Sequence, residues 1–136
     1  MRRFTASLVV VVTTVGSAIT AWGADPSADQ LRDTIRTYIQ RQEARLGSFT
    51  VADPRAQGTL RTLSLVRVHE RVGKTGDYYY ACTDMNDLAT GDQLDLDFDV
   101  AETGTGLNVV AVRIHKDNGM PRYTYDASDR MIPVSQ

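Results

Sequence analysis

A chain of 136 residues that is 42% hydrophobic and 24% charged, with a net charge of −2, fits one ordinary domain. With no basic surplus and no basic stripe, nucleic acid and anionic lipid are set aside as partners. The single cysteine, Cys82, excludes an internal disulfide.

The first stretch, MRRFTASLVVVVTTVGSAITAWGADP, has Arg2 and Arg3 at its head and no further charge until Asp25. An apolar run from Leu8 to Val12 continues weakly through Val15, Ala18 and Ile19. Ala21 and Gly23 are small residues at the two positions that a signal peptidase reads. The pattern predicts a signal peptide over residues 1–23, cleaved before Ala24, and a periplasmic or secreted protein. Thr13, Thr14, Gly16, Ser17 and Thr20 interrupt the run too often for a span of roughly 20 apolar residues, so no stable membrane span is expected after cleavage. Cleavage takes two of the fifteen basic residues and none of the seventeen acids, leaving a net charge of about −4.

Residues 27–46 predict one amphipathic helix. Ser27 and Gln30 have the capping-box form, and Pro26 and Asp29 suit a helix start. Leu31, Ile35, Tyr38, Ile39 and Leu46 recur at helical spacing, and Gly47 supplies the stop. Strand candidates follow at 49–52, 59–72, 77–85, 93–100 and 107–116, joined by short turn-rich links. Short links between alternating runs predict an antiparallel meander. The expected fold is α+β: one N-terminal helix packed on a four- to five-stranded antiparallel meander, within a single domain over 24–125. Residues 126–136 are expected to be a C-terminal tail, with Tyr123 and Tyr125 available for a further edge strand.

Asp95, Asp97 and Asp99 alternate with Leu94, Leu96, Phe98 and Val100. On a strand, residues that share a face are about 6.6–6.8 Å apart, too wide for three carboxylates to converge on one ion. A calcium loop starting at Asp95 wants glycine at its sixth place and glutamate at its twelfth, where this chain has Val100 and Gly106. The aspartates are therefore expected to form a solvated charge ladder, with Arg113 opposite Asp95 or Asp97 and with Val110, Val112 and Ile114 buried.

His69, Cys82 and His115 are the residues best suited to a transition metal. In a simple meander, His69 falls at one end of the sheet and His115 at the other, so the three are not expected to share an ion. Asp84 falls near His115, and Cys82 shares Asp84's face. The candidate site for a ligand or partner is therefore Cys82, Asp84, His115, Arg122 and Tyr123, suited to a small anion or a soft metal. The competing reading is a structural corner, with a turn at Asn118–Gly119 and an Arg122–Asp84 pair. No nucleophile elbow, zinc-protease motif or phosphate loop is present. Cys82 and His115 with Asp84 could form a nucleophile, base and orienting acid.

The segments ACTD (81–84), DLDFDV (95–100) and IHKDNGMPRY (114–123) resemble a pattern found in small exported bacterial proteins of uncharacterised function. The resemblance spans about residues 60–125, with Met85 departing from it. The order of one helix followed by a meander is similar to cystatin-like and nuclear-transport-factor-like folds. The inhibitory cystatins' Gln-x-Val-x-Gly loop is absent, so protease inhibition does not carry over.

The first functional expectation is a small exported, non-catalytic binding or interaction module, whose partner is a protein or a small ligand and which needs no cofactor. The second is a periplasmic transition-metal binder using Cys82 and His115, supported by Asp84. A thiol-dependent enzyme using Cys82 is third. The odd cysteine leaves dimerisation through Cys82 open.

Overall fold

The computed structural model describes residues 23–134; the expected signal segment, apart from Gly23, lies outside them. Helix α1 (Ala28–Leu46) begins at the predicted capping box, with the Ser27 side chain accepting from the Gln30 N–H and the Gln30 side chain accepting from the Ser27 N–H. It ends at Gly47, whose φ of 82° is a left-handed conformation that glycine adopts without strain. Leu31, Ile35 and Ile39 form its buried stripe, while Leu46 stays exposed.

Six strands follow in one antiparallel sheet whose spatial order equals their chain order: β1 (Phe49–Asp53), β2 (Thr59–Thr75), β3 (Tyr78–Asp87), β4 (Gln93–Thr103), β5 (Gly106–Asp117) and β6 (Met120–Pro121). Strict alternation puts Leu94, Leu96, Phe98 and Val100 on the helix side, all fully buried, with Ala81 and Met85 of β3 beside them. Phe49 stacks on Phe98 at 6.0 Å, and Tyr38 of α1 meets both rings edge-on. The expected α+β meander is thus present, with one strand more than the sequence pattern marks out.

The sheet curls around α1 without closing. Phe49–Val51 of β1 and Val109–Val112 of β5 line one shared recess of about 310 Å³. Val110, expected in the core, is 49% exposed because a bulge between the Asp99–Ala111 and Val100–Val109 pairs leaves it without an opposite residue.

Beyond Pro121 the chain forms a hairpin. Strands β7 (Tyr123–Tyr125) and β8 (Met131–Pro133) pair with each other as a second, two-stranded sheet, not as an extra edge of the first. This hairpin is held against the face of the main sheet that points away from α1. Tyr125 stacks on Tyr80 at 4.5 Å, and Asp129 in the hairpin turn accepts from the Tyr80 hydroxyl at 3.0 Å. At the hairpin's entry, Arg122 makes a bidentate ion pair with Asp53 at 2.6 and 2.9 Å. Among the described residues, no helix is long and apolar enough to cross a membrane.

Candidate metal centre

Alternation along β4 turns Asp95, Asp97 and Asp99 away from α1, as expected, but they do not face water. Tyr123 and Tyr125 of the β7–β8 hairpin sit on Asp97, whose side chain is 0% exposed, and the flanking Asp99 and Asp95 are 14% and 20% exposed. The solvated ladder is therefore corrected to a covered one. Each acid has its own partner. Asp95 pairs with Lys116 at 3.0 Å, and Asp99 takes a bidentate pair from Arg113 at 2.5 and 2.7 Å. Arg113 stands opposite Asp97 in register but reaches along the strand to Asp99.

Asp97 collects the remaining donors. Cys82 Sγ–H donates to its Oδ1 at 2.5 Å, and the hydroxyls of Tyr123 and Tyr125 donate to its Oδ2 at 2.8 and 2.6 Å. His115 Nδ1 lies 3.6 Å from the same Oδ1 and 3.6 Å from Cys82 Sγ. To the oxygen that separation is longer than a formed hydrogen bond, whereas to the sulfur it is a hydrogen-bond contact. The His115 ring is fixed by stacking on Tyr123, 4.7 Å between centroids, and by an edge contact with Tyr125.

Two irregularities in the sheet make this convergence. Between the Asp95–Lys116 and Leu96–Ile114 pairs, β5 carries one extra residue, His115. The bulge puts His115 and Lys116 on the same outer face, one beside Asp97 and the other on Asp95. On the other flank, Val68 pairs with Thr83 and Val72 with Ala81, so His69, Glu70 and Arg71 together stand opposite Cys82. That irregularity carries His69 away from the thiol and onto Asp84, with Nε2 2.6 Å from Oδ1.

Of the five residues selected from sequence, the structure brings Cys82, His115 and Tyr123 together. Asp84 is engaged by Arg67 and His69 instead. The Arg122 guanidinium is buried between Asp53 and Asp117 and not paired with Asp84, while its backbone N–H donates to the His115 carbonyl at 2.8 Å. Asp97 and Tyr125 are the members that sequence reasoning missed. An aspartate flanked by fully buried residues in an otherwise ordinary alternation carries no local sign that a later segment will cover it.

Electrostatics follow from burial and donors. Burial alone would push the Asp97 carboxyl up, but His115 and the protons of Cys82, Tyr125 and Tyr123 outweigh it and hold the group at about 2. Burial and the Asp97 charge push the Cys82 thiol far up, and they raise both phenols in the same way. This is the reverse of an activated nucleophile. The thiol and the carboxylate also address the same imidazole nitrogen, whereas a catalytic thiol and its orienting acid occupy opposite nitrogens of the base.

The same convergence suits a cation. One ligand atom from each of Cys82, Asp97 and His115 lies within 4.8 Å of the other two, and the three can coordinate a metal ion. Around a tetrahedral zinc ion, neighbouring sulfur, nitrogen and oxygen ligands are about 3.4–3.6 Å apart, a value that follows from the bond lengths. The two contacts of His115 Nδ1, both 3.6 Å, match that edge. The Cys82 Sγ–Asp97 Oδ1 contact, at 2.5 Å, is shorter than that edge, so seating an ion between the two atoms requires them to part by about 1 Å as the thiol gives up its proton. His115 also lines a surface recess of about 370 Å³ shared with Arg71 and Tyr80. No family model, curated protein or solved structure matches this chain.

Proposed function

We propose that this is a small exported metal-binding protein that holds a thiophilic divalent cation, zinc being the best fit, on Cys82 Sγ, Asp97 and His115 Nδ1. The observation that carries the reading is the convergence of thiol, carboxylate and imidazole from three adjacent strands on one point. Thiolate, imidazole and carboxylate together favour zinc over hard ions such as magnesium or calcium. Tyr123 and Tyr125 hold the far oxygen of Asp97, which leaves its near oxygen to the ion and fixes the carboxylate's rotation. Three protein ligands leave a fourth position for water or an incoming donor. The basic start, apolar run and small residues of positions 1–23 support export.

The test is a competition titration with zinc against a chromophoric chelator, using the chain from Ala24 onward and the variants Cys82→Ser and His115→Ala. The reading predicts one tight zinc per chain and at least a hundredfold loss in each variant. Equal affinity in all three proteins, or no binding in any, would refute it.

A further inference from the structure

The largely apolar recess beside β5 shares Tyr123 with the surround of the metal centre but none of the three candidate ligands. It lies between the end of β1, the exposed edge of β5 and the β7–β8 hairpin, and has a volume of about 500 Å³. That falls within the roughly 300–1,000 Å³ of small-molecule sites. Ala52, Val112, Ile114 and Met131 supply apolar wall, and Met131 is still 47% exposed.

The charge in this wall has one sign. Arg55, Arg113 and Arg122 line it, and among the described residues no acidic side chain does. Arg113 is held from behind by Asp99, and Arg122 by Asp53 and Asp117. Arg55 differs: it makes no ion pair among the described residues, and its guanidinium only donates one long bond, 3.4 Å, to the Arg122 carbonyl. Its backbone N–H donates to Asp53 Oδ1 at 3.0 Å, which fixes the residue's position without using its charge. An apolar trough with an uncommitted guanidinium at its rim complements a molecule with an aliphatic chain and one carboxylate.

We propose that this recess binds a medium-chain aliphatic carboxylate, with the chain along Val112, Ile114 and Met131 and the carboxylate on Arg55. The apolar part sets a chain-length dependence: each methylene buried tightens binding roughly fourfold. The charged part sets a head-group dependence: losing a charge-assisted hydrogen bond weakens binding roughly 10- to 100-fold.

Calorimetric titration of the chain from Ala24 onward with decanoate and with decanol, both below their aggregation limits, tests this. The expected result is saturable binding of one decanoate, with decanol at least tenfold weaker. In Arg55→Gln, decanoate should fall to the decanol level while decanol is unchanged. Arg55 is exposed and lies outside the metal centre, so an unchanged melting temperature and unchanged zinc titration confirm that the variant is intact. Absence of saturable decanoate binding, equal affinity for the acid and the alcohol, or an Arg55→Gln protein that binds decanoate as tightly as the parent would each overturn the proposal.

Discussion

The Tyr125 hydroxyl donates to Asp97 Oδ2 at 2.6 Å, tying the C-terminal hairpin to a fully buried carboxylate 28 residues earlier in the chain. The bond has two consequences. It helps keep Asp97 ionised in a site with almost no water, and it holds β7 over the strand that carries the candidate metal ligand. Tyr125→Phe removes the donor and leaves the ring stacked on Tyr80. The expected loss of stability is about 1.5–3 kcal/mol, the range for a hydrogen bond to a charged group. Loss of this support for Asp97 should also weaken zinc binding by about 10- to 100-fold. Chemical denaturation and zinc titration of the same variant measure the two effects.

Gly73 stands opposite Tyr80 in the β2–β3 register, and a Cβ there would collide with the Tyr80 ring. The ring cannot swing aside freely, because it stacks on Tyr125 and donates to Asp129. Gly73→Ala should therefore cost about 1–3 kcal/mol, as overpacking does. It should also speed amide hydrogen exchange in residues 123–133 while α1 stays protected, a pattern that exchange mass spectrometry reads directly.

Helix, caps and core were legible in the sequence because their causes are local. Ser27, Gln30 and Gly47 each act within one turn, and the alternation from Leu94 to Val100 is a property of one strand. The fate of the other face was not local. Whether Asp97 is wet depends on where Tyr123 and Tyr125 go, and a three-residue strand after Pro121 carries too little pattern to place. The site was half legible for a related reason. Cys82 and His115 stood out by residue type, but the bulge that turns His115 toward Asp97 is a register shift between two strands. Simple alternation assigned Asp84 as the third member, and the irregularity opposite Cys82 gave Asp84 to His69 instead.

The Arg122–Asp53 pair joins the entry to β7 to the end of β1 and gives stability an acid limit. The hydrogen bonds from Arg122 outweigh burial and hold the Asp53 carboxyl at about 2, below its ordinary 3.8. A depressed carboxyl stabilises the fold above the unfolded value and ceases to do so as pH falls through the folded one. The contribution, roughly 2 kcal/mol, should thus be complete above pH 4 and fade between about pH 4 and pH 2. Asp53→Asn should be less stable at neutral pH and should lose this share of the acid dependence, as denaturation midpoints across that window will show.

Zinc affinity should rise with pH. The Cys82 thiol is pushed up by burial and by Asp97, so it keeps its proton across the neutral range, and the ion must displace that proton. One proton released per zinc gives about a tenfold gain in affinity per pH unit. Calorimetry in buffers of different ionisation enthalpy counts the protons. A release near zero would mean that the thiol does not coordinate.

Cobalt substitution tests the central claim most directly, because Co²⁺ takes zinc's place in tetrahedral sites and its spectrum reports the ligands. The chain from Ala24 onward, loaded with one equivalent of Co²⁺, should show an intense near-ultraviolet thiolate-to-cobalt band together with visible bands of tetrahedral strength. Cys82→Ser should abolish the first, and His115→Ala should weaken both. A weak octahedral spectrum without a charge-transfer band, identical in the parent and Cys82→Ser proteins, would contradict a metal centre at Cys82, Asp97 and His115.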